Sequence, residues 1–360
     1  MAVSTGVYCL NVGQGSCTVL IDRIPRRGAG FQAAIVDVGG SGKQLARWLK
    51  HYGVTRIVTV ALTHHDDDHI RGLSQLVQAF QSKIDTLWIV AERQVHPKRL
   101  WIPSQTWRDN AWVRRIRRLE APAERPPGLG ECVAGPLETE YALYCIYPEL
   151  YDVETVVHGA ERTGEPLGSG PNAASAVLRV AIPTADPNSL NETHVLLGGD
   201  LDYLGWNHLF ETGHNLKAHV FVVPHHGGPT GASAAFGETE LVNAVSPSSA
   251  LISVGTDKNS GHKPYGHPHK SLVQAFRAAG VSVLCTQLTP QCVSDPATIP
   301  GAFVLPPIAP EPRTCSSGVG CAGTIVVKLS DTATPEVIRV ADHANAVVRL
   351  QTAGHSPMCR

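Results

Sequence analysis

One stretch constrains this chain more than any other: Thr63-His64-His65-Asp66-Asp67-Asp68-His69, lodged between an apolar run at 56–62 and a helical stripe that starts at Ile70. The run has the make-up of a strand buried on both faces, and Ile70, Leu73, Leu76, Val77 and Phe80 predict a helix over 70–81. In the extended turn between them, residues 64 and 66 point the same way, while the adjacent pair 68 and 69 can turn toward a second point about 3.5–4 Å off. Two cations fit side by side in such a turn. The bland alternative is a solvated acidic loop capping the next helix, where carboxylates are favoured in any case. Two further groups weigh against it: Asp200 closes the run Val195-Leu196-Leu197-Gly198-Gly199, and His225-His226 follows Phe221-Val222-Val223-Pro224. Three sets of ligand-type side chains, each just past a strand, predict convergence on one edge of a sheet sandwich.

The rest of the chain reads as alternating β and α elements. Strands are expected at 7–12, 16–21, 33–38, 86–90, 141–147, 174–182, 194–197, 219–223, 250–254, 281–286 and 323–329. Helices are expected at 43–52 and at 271–279, the latter with Ser271 as N-cap. Between Arg93 and Arg125 nine Lys/Arg stand against three Asp/Glu, with Trp101, Trp107 and Trp112 interleaved. Within it, 114–119 reads as a basic helix, and about 91–130 as a basic, Trp-containing insertion. Such a segment is either an arm that tracks phosphates with bases stacked on its indoles or a solvated face whose Trp residues pack on the core; the second is favoured. Residues 287–322, rich in Pro, Gly, Ser and Cys, read as a surface insertion. No linker divides the sequence, so 1–360 is read as a single domain.

A chain of 360 residues with 43% hydrophobic and 17% charged side chains can bury about three quarters of its surface. That excludes a small disulfide scaffold, a coiled coil and a disordered chain. No run of 18 apolar residues offers a spanning helix. The first residues pass straight into strand-like alternation with no signal-peptide pattern, so a soluble, cytoplasmic protein without a membrane partner is expected. A net charge of −1 gives no global attraction to polyanions, so any affinity for nucleic acid must be local. The nine Cys include no CxxC pair and read mostly as small buried hydrophobes; Cys315 and Cys321 flank a Gly/Ser loop that one local disulfide would close.

The motifs Val12-Gly13-Gln14-Gly15, Val36-Asp37-Val38-Gly39, Thr63 to Ile70, Asn172 with Ser175, Gly199-Asp200, His225-His226-Gly227 and Tyr265-Gly266-His267-Pro268 follow the order seen in the metallo-β-lactamase superfamily. The chain most resembles the hydrolase-like domain at the C-terminus of ComEC-type DNA-uptake proteins, across roughly 6–330. That resemblance implies an α/β fold, a four-layer αββα sandwich with a dinuclear metal site at one edge. It implies His64 and Asp66 on the first metal, Asp68 and His69 on the second, and Asp200 bridging the two. One imidazole of the pair His225/His226, with His225 favoured, would complete the shell. Asp37 would orient a ligand imidazole, Gln14, Asn172 and Ser175 would stand around the site, and His267 is singled out beyond the ligands. The chain departs from the commoner pattern at Asp66, where His is usual, and at Ser16, Gly198 and Gly228. Carboxylate in place of imidazole hardens the donor set, which suits manganese or magnesium better than zinc, although the imidazoles keep zinc in play.

The function expected is a metal-dependent hydrolase, a phosphodiesterase or nuclease acting on DNA, RNA or a nucleotide through two divalent ions and a bridging hydroxide. Asp68, His267 and Lys263 are the catalytic candidates; the His/Lys-bearing loop at 261–269 is suited to stabilising an oxyanion or protonating a leaving group. Two rivals stand beside it: a lactone, β-lactam or thioester hydrolase of the same fold, and a non-catalytic module that binds nucleic acid or a partner.

Overall fold

Residues 5–24, 30–90, 101–119, 131–135, 141–148, 171–182, 193–229, 236–256, 266–300, 305, 318–330 and 333–359 are described by the computed structural model. Their strands pair into two sheets. The first runs β15 (Ala333–Val337), β14 (Ile325–Ser330), β1 (Gly6–Cys9), β2 (Thr18–Arg23), β3 (Phe31–Val36), β4 (Val54–Leu62), β5 (Ile84–Ile89) and β6 (Val113–Arg118), with β3 to β6 parallel. The second runs β13 (Ser282–Cys285), β12 (Ser249–Ile252), β11 (Ala218–Val222), β10 (Thr193–Leu197), β9 (Val177–Ala181), β8 (Ala142–Tyr147) and β7 (Glu131–Ala134), with β10 to β13 parallel.

Alternation within the strands makes the layers. In β10, Val195 and Leu197 face the opposing sheet while Leu196 faces outward. In β4, Ala61 faces inward and Ile57, Val60 and Leu62 face a helical layer. That layer is α1 (Gly42–His51) and α3 (Leu73–Ala79), which bury Leu45, Trp48, Leu49, Leu73, Leu76 and Val77. Helix α4 (Trp101–Asp109), just before β6, adds Trp107 to the first core; on the far side, α5 (Tyr203–Glu211), α6 (Glu238–Val245) and α7 (Lys270–Ala278) cover the second sheet with Trp206, Leu241 and Phe276. The order is helix, sheet, sheet, helix. Since β4 and β10 both end at one rim, the loops that follow them meet there.

Several local expectations need correction. The segment read as a basic helix at 114–119 is strand β6, because Val113 and Ile116 pack on the first core and the backbone pairs with β5; sheet pairing overrides the helix propensity of arginine. The helix expected over 70–81 is two, α2 (Asp67–Ile70) and α3, parted where Gly72 N–H donates to the Val38 carbonyl at 2.8 Å. The N-cap of α7 is His269, and Ser271 instead donates to Glu238 Oε1 at 2.8 Å. Cys321 is a free thiol, so it closes no disulfide, and Cys315 lies outside the described residues. Within 287–322, Leu288, Cys292, Val293 and Cys321 are buried against Leu350 of α8 (Val340–Thr352), so the described part of this stretch has a small core of its own. Among the described residues no helix is long and apolar enough to cross a membrane.

The α8 helix carries a pH liability. His343 is buried, its Nε2 3.3 Å from Cys321 Sγ, and burial pushes its pKa down to about 4. Below about 6.5 the unfolded chain takes up this proton while the folded one refuses it, so folding weakens as pH falls toward 4. Between pH 7 and pH 4.5 this one group should cost about 2 kcal/mol. Urea denaturation of His343→Gln, which has nothing to titrate, should show a pH dependence shallower by that amount; an identical slope would remove His343 as the source.

Candidate metal centre

The motif turn begins where β4 stops. Thr63 N–H and Thr63 Oγ1–H both donate to Asp37, to Oδ1 and Oδ2 respectively, each at 2.8 Å, so the turn hangs from a buried carboxylate on the neighbouring strand's loop. Asp66 is the N-cap of α2, yet its side chain makes no capping hydrogen bond; its Oδ2 lies 3.7 Å from His64 Nε2. The solvated-cap alternative therefore loses its main use for Asp66. Gly39 lets this turn close: a Cβ there would stand 1.7 Å from the Asp68 carbonyl oxygen and 2.7 Å from Ser16 N.

The second sheet supplies Asp200 just after β10 and His226 after β11. Asp200 is the hub. Its Oδ1 is 3.2 Å from His69 Nε2, and its Oδ2 is 3.8 Å from His64 Nε2 and 3.9 Å from His226 Nε2. His226 Nε2 is also 3.3 Å from Asp68 Oδ2. Two donor groups result, His64, His69 and Asp200 in one, Asp68, His69 and His226 in the other. His64, His69, Asp200 and His226 are buried, whereas the Asp66 and Asp68 side chains are 45% and 29% exposed and form the open side.

Hydrogen-bond partners assign the tautomers. His226 Nδ1 faces the Ser253 carbonyl at 2.9 Å, and a carbonyl only accepts, so this nitrogen carries the proton. His69 Nδ1 donates to Asp37 Oδ2 at 2.7 Å. Thr63 gives its hydroxyl proton to Asp37, which leaves a lone pair for His64 Nδ1–H at 3.1 Å. Ser175 Oγ, 3.3 Å from the same nitrogen, accepts from Asp200 N–H at 2.8 Å. All three Nε2 atoms are thus lone-pair donors, buried and without a hydrogen-bond partner, aimed at carboxylates. Acceptors facing acceptors require a positive charge between them, supplied by a proton on the imidazole or by a bound metal ion.

With no ion bound, the same carboxylates favour a proton on these imidazoles, a positive charge that a divalent ion would replace. Burial opposes charge on His69, but Asp200 and Asp37 outweigh it and hold its pKa well above the usual value; for His226, Asp200 and Asp68 do the same. Asp200 and Asp68 are held low by the imidazoles around them, against their burial. The donor set fits divalent metal: imidazole nitrogens for zinc, and three carboxylates that harden the site toward manganese or magnesium.

Of the expected residues, the structure brings together His64, Asp66, Asp68, His69, Asp200 and His226, with Asp37 and Ser175 touching them. His225, the favoured member of its pair, does not join the cluster. His225, His226 and Gly227 have φ of 52°, 53° and 73°, a left-handed turn that sends neighbouring side chains apart. His226 goes inward, anchored by Ser253, and the His225 ring stacks 5.3 Å from His267. His267 lies over the rim, its ring 6.5 Å from that of His226, and burial together with His225 and His226 lowers its pKa to about 4. Gln14 ties the two sheets at the rim, its Oε1 accepting from Gly255 N–H at 3.2 Å. Asn172 occupies a turn whose carbonyl accepts from Ser175 N–H at 3.1 Å. Lys263 lies outside the described residues. Sequence reasoning missed Thr63 as a proton director, although it heads the motif, and Ser253, which no pattern marks.

Gly228 shapes this rim by lacking a side chain: a Cβ there would sit 2.0 Å from His267 Cε1. Gly228→Ala should displace the His267 ring while leaving the metal ligands in place. With His267 as a catalytic candidate of the sequence, the expected readout is a turnover about tenfold lower, the order of one hydrogen bond to charge, at an unchanged capacity for divalent metal; equal loss of metal binding would contradict it.

A family model described as the metallo-beta-lactamase superfamily matches residues 10–236. The competence protein ComA of Neisseria gonorrhoeae is 34% identical over 161 residues, 41% of this chain and 20% of that protein, so the match spans a fifth of that relative's length. Similar solved structures include unliganded yeast PDE1, at 12% identity and TM-score 0.45 over 78% of this chain and 97% of that one. Another is the metallo-beta-lactamase fold protein YhfI from Bacillus subtilis, at 11% and 0.44 over 79% and 96%. With the family model covering more than half of its length, the chain belongs to the metallo-beta-lactamase superfamily of hydrolases.

Proposed function

We propose that this chain is a metal-dependent phosphodiesterase acting on nucleic acid or a nucleotide. The observation that carries the reading is the convergence of three buried imidazole Nε2 atoms, each with its Nδ1 already tied to an oxygen, on Asp200 beside two half-open carboxylates. His64, Asp66 and Asp200 would hold one ion, Asp68, His69, His226 and Asp200 the other. Divalent ions so held supply Lewis acidity and an activated water. The chain's own groups do the rest. Asp37, Thr63 and the Ser253 carbonyl keep each imidazole in its ligating tautomer. Asp66 and Asp68 mark the face open to substrate. His267, neutral at pH 7 with a pKa near 4, offers an N–H to a phosphoryl or leaving-group oxygen instead of a proton to transfer; Lys263 is proposed as a second catalytic residue.

A phosphodiester is preferred to a carbonyl substrate because the described flank of the site carries Arg114, Arg115, Arg117 and Arg118, and the partially matching relative is a competence protein. The test is elemental analysis followed by turnover of bis(4-nitrophenyl) phosphate beside an acetate ester, a lactone, a thioester and a β-lactam, each with Mn²⁺, Mg²⁺ and Zn²⁺. Phosphodiester cleavage that His69→Ala abolishes is the expected result. Faster ester cleavage, or activity that survives His69→Ala, would overturn it; metal-free protein unaffected by Asp200→Ala would favour the non-catalytic module.

A further inference from the structure

Among the described residues, strand β6 is the outer edge of the first sheet, and Arg114, Arg115, Arg117 and Arg118 on it are all exposed. In a chain of net charge −1, four cations on six residues are a local concentration. Asp85 pairs with Arg56 and with Arg114, the latter at 3.2 Å. Arg117 lies over Trp88, 5.3 Å from its ring centre. Among the described residues, no carboxylate pairs with Arg115, Arg117 or Arg118. Arg115 instead lines a cavity of about 240 Å³ where β4, β5 and β6 face β7, together with Arg56, Arg114, Thr59 and Thr86.

Register places this strip relative to the metal centre. Arg118 is level with Ile89 and Ile89 with Leu62 in parallel pairing, so the end of β6 reaches the rim where Thr63 and His64 begin, two strands or roughly 10 Å across. From there the cations run along the flank for about 13 Å and end in the cavity, where Arg115 is a phosphate donor, Asp85 pairs with Arg56 and Arg114, and the Thr59 hydroxyl already donates to the Val133 carbonyl. The cavity is too small for a duplex. Trp107 is buried in the core, so the strip offers charge rather than an indole platform.

We propose that β6 and its cavity are a phosphate track that holds the backbone of a single-stranded nucleic acid while its scissile linkage lies at the metal centre. This rests on the phosphodiesterase reading of the site. Edge strands also carry charge to block pairing with a second chain, and a surface serving that end alone would show no affinity for polyanions.

The test is fluorescence anisotropy with a labelled, phosphorothioate-linked 20-mer of thymidine, on metal-loaded protein, comparing wild type with Arg115→Ala/Arg117→Ala/Arg118→Ala. Affinity at 50 mM salt should fall at least tenfold, and the slope of log K against log salt should flatten by about two, since each single-strand phosphate contact contributes about 0.7. The corresponding triple Lys variant, which keeps the charge, should recover most of the binding, and turnover of bis(4-nitrophenyl) phosphate should stay within twofold of wild type in both. Unchanged affinity and slope in the Ala variant would overturn the track while leaving the site reading intact. No turnover by wild type, with binding still lost in the variant, would sink the site reading and spare the track. A matched duplex that binds as tightly and loses as much would overturn the single-strand assignment.

Discussion

Asp200→Asn should strip the protein of bound metal and lower phosphodiester turnover by about 10³-fold, because an ion that stabilises developing charge is worth several kcal/mol and each 1.36 kcal/mol is a factor of ten. Among the described residues, Asp200 is the one carboxylate within 4 Å of all three imidazole Nε2 atoms. Asn keeps the volume and the Ser175 contact through its backbone N–H, so packing should survive while the charge that draws the cations is gone. Metal-to-protein ratio and the rise in melting temperature on adding metal are the measurements: both should collapse together, since binding to the folded state alone is what raises stability. Full metal occupancy in Asp200→Asn would show that the hub lies elsewhere.

Changes at Asp37 should separate orientation from stability. Its carboxylate is fully buried and accepts from Thr63 N–H, Thr63 Oγ1–H and His69 Nδ1–H. Asp37→Ala leaves those donors without an acceptor, at a cost of about 3–5 kcal/mol, and places Ala at φ 62°, worth about another 1 kcal/mol. Asn tolerates that backbone and keeps one oxygen for His69. Asp37→Asn should therefore fold, with metal affinity 10- to 100-fold weaker, roughly the cost of losing a partner that orients a ligand. Competition against a chromophoric chelator measures it. Wild-type affinity in Asp37→Asn would reduce Asp37 to a packing role.

The strand ends were the legible part. Apolar runs of five to nine residues followed by His or Asp announced β4, β10 and β11 and the rim they share, because burial writes directly into the sequence. Helices α4, α5, α6 and α8 went unread: α5 is capped by Asp202, whose Oδ1 accepts from Leu204 and Gly205 N–H, a signal lost among loop-like neighbours. At β6 the local preference and the final state conflict, and pairing with β5 is a long-range fact that no window contains. The choice between His225 and His226 turned on a run of positive φ, which only Gly227 hints at. Tautomer control by Ser253 was invisible because a backbone carbonyl has no residue type.

His64, Asp66, Asp68 and His69 descend from the first sheet, Asp200 and His226 from the second. Any ion gripped by both sets is a rivet through the two halves of the sandwich, sitting at the rim where the loops after β4, β10 and β11 meet. Chelation should then do more than silence chemistry: amide protons around 63–70 and 198–201 should exchange faster first, the halves parting at that margin as a hinge opens once its pin is drawn.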